Sequence, residues 1–181
     1  MRRLVLLSTV VLFGVLVCAP AWAIETPVDS DGDGYPDAVE LAHGYDPRDP
    51  RPIKLQKRIE IDRAKQDLAY FVGPYVVRVE RASTGKPRTP TPVGTYTITA
   101  KRPRAWSRNA RLWMPWWMNF TGPRAPAGLY GIHELPEWPS GKKEGADHLG
   151  KPVSGGCVRL GVGPAKALYD WADVGTTVVV R

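Results

Sequence analysis

Glycine and proline are scattered along the whole chain, and their number limits the folds that it can adopt. The sequence holds 18 glycines and 18 prolines among 181 residues, without the regular repeat of collagen. Proline lacks the amide hydrogen that a helix needs, and glycine loses more backbone entropy than any other residue when it is ordered. The composition therefore argues against a helical bundle and favours a fold of strands and loops. Only two cysteines are present, which excludes a disulfide scaffold.

The first 23 residues have the layout of a secretory signal peptide. Two arginines precede an apolar run over 4–17, and the small-residue pattern AWA follows at 21–23. The run is shorter than the about 20 apolar residues of a membrane span. We therefore predict export to the periplasm or cell wall, with cleavage after Ala23 and no transmembrane span thereafter; retention as an uncleaved anchor is the alternative. Cleavage would remove Cys18 and leave Cys157 as the single thiol.

Residues 24–52 form an acidic segment with few large apolar side chains, so they cannot build a core alone. Within them, residues 29–40 read DSDGDGYPDAVE and fit the calcium-loop pattern D-x-D-x-D-G-x-x-D-x-x-E. Calcium prefers six to eight oxygen ligands, and the glycine at the sixth position allows the tight turn that gathers them. We predict a structural Ca²⁺ site; its candidate ligands are the side chains of Asp29, Asp31, Asp33, Asp37 and Glu40 and the backbone carbonyl of Tyr35.

The context of this loop narrows its interpretation. No helix is expected before it, so a paired EF-hand is not predicted, and the segment resembles the calcium repeats of thrombospondin type 3-like proteins. That resemblance implies a structural spacer. A solvated acidic linker without metal is the alternative. A helix is predicted over 36–43, ended by Gly44, and the following DPRDPRP at 46–52 reads as a stiff, extended linker.

Residues 53–181 have the pattern of a mostly β domain. Alternating or β-branched runs predict strands around 59–72 and 76–79, with a turn at Gly73-Pro74. Further strands are predicted over 95–99, 128–132 and 176–180, and helical spacing after a proline predicts a short helix over 164–172. The predicted fold is a β-sandwich or mixed sheet with one or two short helices.

Cys157 is the residue on which a catalytic interpretation depends. The two glycines before it permit a tight backbone turn and close approach of a substrate, and Arg159 would favour a thiolate if it folds near the sulfur. A nucleophilic cysteine needs a base, and His133, at the end of an apolar strand, is the best-placed candidate. His43 and His148 read as surface residues. A buried structural cysteine is the alternative.

Six segments, taken together and in order, resemble the L,D-transpeptidase family with its YkuD-like catalytic domain. They span essentially the whole β domain, and each is similar to a short motif of that family. The segments are IEID with QDLAY in 59–70, STGK at 83–86, TPTPVGTY at 89–96, WMPWWM at 113–118, GIH at 131–133 and LGKPVSGGCVRL at 149–160.

The resemblance implies a role for each matching residue. Cys157 would be the nucleophile and His133 the general base and acid, with the imidazole oriented by the carbonyl of Glu134. Amides around Gly156 and Cys157 would hold the oxyanion. The remaining candidate substrate-binding residues are Ser154, Gly155, Arg159, Trp116 and Trp117.

Two departures from the family pattern affect this assignment. The usual "HG" is replaced by His133-Glu134 and a polar insertion that runs to Gly145. The usual "SHGC" is SGGC, with Gly155 where a histidine is common. That histidine is not the base, so we expect activity to survive, with thiolate stabilisation and acceptor choice affected.

The resemblance implies acyl transfer on peptidoglycan tetrapeptide stems through a cysteine thioester, with release of D-alanine. The acyl acceptor would be another stem, giving a 3–3 cross-link, or a wall-anchored protein. With water as acceptor the activity would be that of an L,D-carboxypeptidase, and a catalytically inactive, calcium-dependent wall-binding module is the second alternative. No cofactor is expected for catalysis.

Tryptophans and arginines are interspersed over 102–117. Such a mixture suggests nucleic acid as a partner, but the predicted export argues against it. We predict instead that this segment forms a lid over the cleft.

Overall fold

The computed structural model describes residues 27–181. Residues 1–26, which contain the predicted signal peptide, lie outside the described part. Eight strands and two short helices follow one another, in this order: α1 (Asp37–His43), β1 (Lys57–Asp62), β2 (Asp67–Val72), β3 (Tyr75–Ser83), β4 (Gly94–Ser107), β5 (Leu112–Thr121), β6 (Gly131–Glu134), β7 (Val158–Leu160), α2 (Pro164–Trp171) and β8 (Thr177–Val180). A single turn of 3-10 helix, Ala146–His148, precedes β7. Among the described residues, no helix is long and apolar enough to cross a membrane.

The eight strands form one mixed sheet that closes on itself, in the order β1-β2-β3-β7-β6-β5-β4-β8. Most neighbours are antiparallel, as the hairpins β1–β2, β2–β3 and β4–β5 require. Two pairs are parallel: β1 with β8, which closes the ring, and β6 with β7. The predicted mostly β fold with short helices is therefore confirmed, and the closure of the sheet is the feature that the sequence pattern did not indicate.

The core is built from alternate residues of the strands, because successive side chains of a strand point to opposite faces of the sheet. Ile59 and Ile61 of β1 are fully buried, and so are Val158 and Leu160 of β7. Helix α2 adds its buried face to the same cluster, where the ring of Trp171 lies 4.8 Å from that of Tyr70. This one core holds β6 and β7 side by side.

The local prediction for residues 46–52 differs from the structure. The segment over 46–52 is not an extended linker, because Tyr45 pairs antiparallel with Lys54 and the residues between them form a loop. The hydroxyl of Tyr75 donates a hydrogen bond of 3.0 Å to Asp46, which ties that loop to β3. The aromatic and basic residues over 102–117, which are predicted to form a lid, belong to a long β4–β5 hairpin whose strands pair from Thr97 to Ser107.

Candidate active site

The pairing of β6 with β7 places the candidate base and nucleophile on neighbouring strands. His133 is in register with Arg159, and Ile132 with Val158. Since Ile132 and Val158 are fully buried in the core, alternation sends His133 and Arg159 to the opposite face of the sheet. Cys157 immediately precedes β7, one residue before Val158, and so lies at the start of the strand that adjoins His133.

The imidazole of His133 is held in one orientation by its own backbone neighbour. Its Nδ1 lies 2.6 Å from the carbonyl oxygen of Glu134. Because a carbonyl only accepts hydrogen bonds, the Nδ1 atom carries the proton, and the lone pair of Nε2 is left to accept one. Burial lowers the pKa of His133 to about 4; the Glu134 carbonyl opposes this shift and the charge of Arg159 adds to it. The ring is therefore neutral at pH 7.

The two candidate substrate-binding tryptophans of β5 lie on opposite faces of the sheet. Trp117 covers the imidazole, with 5.7 Å between the ring centroids of Trp117 and His133. Trp116 packs instead against Tyr169 of α2, at a ring distance of 5.4 Å. Strand alternation explains the difference, since adjacent residues cannot both face the cleft. The placement of Trp116 does not support its predicted role in substrate binding.

The thiol of Cys157 sits against the backbone of the neighbouring segment. Its Sγ lies 3.9 Å from the carbonyl oxygen of Leu129. Burial raises the pKa of Cys157 to about 11, although a backbone hydrogen bond at Gly131 and the charge of Arg159 both act to lower it. Arg159 therefore favours the thiolate, as its position in the sequence suggested, but the effect of burial is larger. The resting pair is a thiol beside a neutral imidazole.

The turn before the cysteine is held by Ser154, which is itself fully enclosed. The Ser154 hydroxyl donates a hydrogen bond to the carbonyl of Cys157 and accepts one of 3.0 Å from the amide of Gly156. Ser154 therefore shapes the turn rather than contacting substrate. The Gly156 amide, a predicted oxyanion donor, is engaged by this bond and would have to exchange it to contact an oxyanion.

Three of the family-like segments support this turn, directly or through one another. The hydroxyl of Thr91 donates to the carbonyl of Gly156 at 2.8 Å and accepts from the amide of Gly85 at 2.9 Å. Next to Gly85, Thr84 exchanges two bonds with the buried side chain of Gln66, at 2.7 and 2.8 Å. The spacing of these motifs in the sequence thus reflects a single hydrogen-bonded support for the cysteine loop.

The two glycines before the cysteine differ in whether a residue with a Cβ atom could replace them. Gly156 has φ +125°, and a Cβ atom there would lie 2.9 Å from the ring of Tyr130. Gly155 is exposed and lacks a positive φ, and a Cβ atom added to it would have no heavy atom within 4 Å. Gly155, where the family pattern commonly has histidine, therefore leaves room for a Cβ atom.

A cleft leads away from the thiol along the β4–β5 hairpin. One cavity of about 310 Å³ is lined by Cys157, Leu129 and the tip of the hairpin, including Arg108. A second, of about 480 Å³, continues along β4 past Arg102. The two share four lining residues: Trp106, Met114, Trp117 and Gly128. They form one continuous groove with the sulfur at one end.

The insertion after His133 supplies a carboxylate that sequence reasoning missed. Glu144 is largely buried and lies 2.9 Å from the guanidinium of Arg159 and 3.1 Å from Nδ1 of His148. His148 was expected to be a surface residue but is half-buried in this contact. Another insertion residue, Glu137, pairs with the backbone of Trp113 and so docks the insertion on β5. A polar stretch with a lone glutamate carries no pattern from which these pairings could be predicted.

The acidic loop near the start of the described chain is folded around its own carboxylates. Asp29 accepts hydrogen bonds from the amides of Gly32 and Gly34, at 2.8 and 3.0 Å. Oxygen atoms of Asp29, Asp31 and Asp33 lie within 4.8 Å of one another. Helix α1 follows, and Gly44 ends it with φ 84°. The structure thus brings three of the candidate calcium ligands together.

Glu40 and Asp37, the other two acidic candidate ligands, lie in different environments. Glu40 is 7% exposed, and one of its carboxylate oxygens has no partner among the described residues; the same holds for one oxygen of Asp31. Burial raises the pKa of Glu40, and the nearby aspartates of the loop add to the shift. Asp37 is occupied differently, since both its oxygens accept bonds of 2.7 Å from Ser30.

The fold and the motifs agree with one known family. Residues 56–180 match the family model of the YkuD L,D-transpeptidase catalytic domain. The chain belongs to this family. The YkuD domain therefore accounts for the whole closed sheet, α2 and both candidate catalytic residues. A comparison with curated proteins found no match.

Several solved structures resemble the YkuD domain described above. An L,D-transpeptidase from Mycobacterium smegmatis is 25% identical with a TM-score of 0.60, and one from Stackebrandtia nassauensis is 26% identical with a TM-score of 0.57. A Mycobacterium tuberculosis L,D-transpeptidase, 22% identical with a TM-score of 0.58, shares the fold. Each alignment covers 71% of this chain but only 59%, 57% and 58% of the respective structure. The chain thus spans less than two thirds of each of these proteins.

Proposed function

We propose that this protein is an exported cysteine L,D-transpeptidase that acts on peptidoglycan tetrapeptide stems. The observation that carries the proposal is the orientation of His133. Its Nδ1–H is fixed on the Glu134 carbonyl, so Nε2 is the free base on the strand beside the only cysteine of the described chain. Nothing else in the active-site face of β6 and β7 offers a base in this position.

The reaction begins at the carbonyl carbon between the third residue of the stem, a diamino acid, and its terminal D-alanine. Cys157 Sγ forms a bond to this carbon while its proton passes to Nε2 of His133. The carbon–nitrogen bond then breaks, and the leaving amine of D-alanine takes the proton back. An amine resolves the thioester by the same steps in reverse. Because the thiol pKa is raised to about 11, we propose that proton transfer accompanies attack rather than preceding it.

The acceptor determines which reaction results. A stem amine gives a 3–3 cross-link, a lysine of a wall-anchored protein gives anchoring, and water gives L,D-carboxypeptidase activity. We favour an amine, since the solved structures that this domain resembles are named as transpeptidases.

The test is incubation of the whole protein with purified tetrapeptide, with and without a second stem as amine acceptor. We expect D-alanine release and a Cys157 acyl adduct in the intact mass, both lost in Cys157→Ala and the adduct greatly reduced in His133→Gln. Release that is identical in all three proteins would contradict the proposal. Release without cross-linked product would assign the carboxypeptidase.

The inactive wall-binding module is the second candidate, and the raised pKa of Cys157 is the observation that favours it. A thiol kept protonated by burial is a poor nucleophile unless a base removes its proton during attack. Binding of the protein to isolated peptidoglycan without turnover or adduct would support this alternative.

Export is proposed from residues 1–23 alone. Their basic start, apolar run and AWA site predict a mature protein that begins at Ile24. Expression with the native leader, followed by fractionation and N-terminal sequencing, tests this. Cytoplasmic protein that begins at Met1 would contradict it.

We also propose that the acidic loop holds a structural Ca²⁺ ion. The residues fit such an ion, because Asp29, Asp31 and Asp33 converge and an oxygen of buried Glu40 lacks a partner. In calcium loops of this spacing the twelfth residue supplies such a carboxylate. Asp37 would contribute only after releasing Ser30 or through a water molecule.

Isothermal titration of the whole protein with Ca²⁺ tests this site, with protection of the loop from proteolysis as a second readout. Glu40→Gln keeps the shape of the side chain and should weaken binding strongly. Glu60→Gln removes the same charge from β1, far along the chain, and should leave binding unchanged. Absence of heat at millimolar calcium would contradict the site.

A further inference from the structure

The groove that leads from Cys157 carries positive charge without any compensating carboxylate. Arg108 lines the cavity that contains the thiol, and Arg102 lines the cavity that continues from it. Within residues 27–181, no aspartate or glutamate lines either cavity. Neither arginine lies within ion-pair distance of an acid in the described chain, and both are exposed. Two guanidinium groups are therefore free to bind an anion in the groove.

Arg104, which lies on β4 two residues after Arg102, has a different environment. Arg104 projects from β4 between Arg102 and the hairpin tip, and its guanidinium donates to Glu137 at 2.6 Å while lying 4.4 Å from the ring of Trp113. These contacts hold the insertion against the hairpin, so the guanidinium of Arg104 is not free to bind an anion. Arg102 and Arg108 have no such contacts, although they belong to the same hairpin.

The walls of the groove explain what kind of anion it would take. Trp106, Met114 and Trp117 line both cavities and present apolar surface between the two arginines. A small inorganic anion would use one guanidinium and none of this surface. An extended peptide with carboxylates spaced along it would use both, since each guanidinium binds a carboxylate through two parallel N–H···O bonds.

We infer that Arg102 and Arg108 form a carboxylate-binding subsite that selects stem peptides whose side carboxylates are free rather than amidated. The inference rests on the proposed function, since it assigns the groove to the donor stem. Such a stem carries a carboxylate on its terminal D-alanine and, unless they are amidated, on its second and third residues. Arg108, nearer to the thiol, would bind the side carboxylate of the third residue, and Arg102 would bind that of the second.

Binding tests this selectivity independently of turnover. In a Cys157→Ala background, which cannot form the thioester, we would measure the affinity of a free-acid tetrapeptide and of its amidated counterpart by isothermal titration. We expect the free-acid peptide to bind about tenfold more tightly, a difference of about 1.4 kcal/mol. Raising the salt concentration should narrow the difference, because both arginines are exposed.

Substitutions locate the subsite. Arg102→Gln and Arg108→Gln should each reduce the preference for the free acid, and the double substitution should abolish it while leaving binding of the amidated peptide within about twofold. Arg124→Gln is the matched control, because Arg124 is also exposed but lines a separate cavity at the start of β4. It should leave the preference unchanged.

The outcomes separate this inference from the proposed function. Equal binding of both peptides, no binding of either, or a preference that survives the double substitution would overturn the subsite. D-Alanine release by the protein with native Cys157 is scored separately. Turnover without any preference between the peptides would remove the subsite and leave the transpeptidase; preferential binding without turnover would retain the subsite on a binding module.

Discussion

The Nδ1 atom of His133 lies 2.6 Å from the carbonyl oxygen of Glu134, the residue that follows it in the same strand. The bond is local, but the strand that carries it is fixed on both sides, by β5 and by β7. The orientation of the imidazole is therefore a property of the sheet rather than of a separate partner side chain. Its burial makes the protonation of this ring a determinant of stability as well as of chemistry.

We expect the stability of the folded protein to fall as the pH is lowered from about 6.5 towards 4. The pKa of His133 is about 4 in the folded chain and 6.5 for an unperturbed histidine, so the unfolded chain binds the proton first. The effect at pH 4 is on the order of 3 kcal/mol from this group. Urea unfolding at a series of pH values measures it. His133→Gln should flatten the dependence across this window, and an unchanged slope would contradict the assignment.

Alkylation of Cys157 should accelerate with rising pH until well above pH 9. Burial raises the thiol pKa to about 11, so the thiolate fraction in the free protein is small at pH 7. The rate of reaction with iodoacetamide, followed by intact mass, measures this dependence. The urea-unfolded protein provides the control and should titrate near about 8.5. A plateau below pH 8 in the folded protein would show that Arg159 outweighs burial.

Alanine at the two glycines before the cysteine should have very different effects. Gly156→Ala places a Cβ 2.9 Å from the Tyr130 ring at φ +125°, so we expect a loss of about 2–4 kcal/mol in the free energy of unfolding. Gly155→Ala meets no neighbour and should change it by less than about 0.5 kcal/mol. Thermal or urea unfolding compares them. Similar losses in the two variants would mean that the turn is not as described.

Removal of the insertion carboxylate should destabilise the protein. Glu144→Ala leaves the largely buried guanidinium of Arg159 without its counter-charge, and we expect a cost of about 2–4 kcal/mol. Asp147→Ala removes an exposed carboxylate two residues after the insertion and should change stability little. Urea unfolding measures the stability of each variant. Equal stabilities of the two would show that the Glu144–Arg159 pair contributes nothing.

Much of the fold could be predicted from local patterns. The apolar runs of β2, β3 and β8, the Gly73–Pro74 turn and the helix that begins at Pro164 carry their structure in their own residues, whereas the turn that separates β1 from β2 was not predicted. The long β4–β5 hairpin could not be recognised, because its arginines and tryptophans alternate without a clear apolar face. Its apolar residues are divided between two surfaces, with Trp116 on α2 and Trp117 on His133.

Some residues of the candidate site could be predicted from the sequence, and others could not. Cys157 and His133 could be singled out as candidates from their own segments, and the contact of His133 with the Glu134 carbonyl was expected from the resemblance to the family. The arginines of the groove could be assigned only to an aromatic and basic segment near the cleft, and Glu144 could not be predicted, since its role depends on which strands become neighbours. Arg104 pairs with Glu137 of the insertion, whereas Arg102, two residues earlier on β4, lines the groove. The difference depends on where the insertion contacts the hairpin.

The parallel pairing of β1 with β8 has a consequence for how the protein folds. These strands are the first and the last of the sheet, yet Ile59 is in register with Val178 and Ile61 with Val180. The ring cannot close until β8 has been synthesised, and its closure joins segments that are more than a hundred residues apart in the chain. Such non-local contacts must form before the core is sealed, which makes folding slow compared with a helical protein of this size. Until β8 has paired, β1 and β4 each keep an unpaired edge, the kind of edge at which another chain can add a strand.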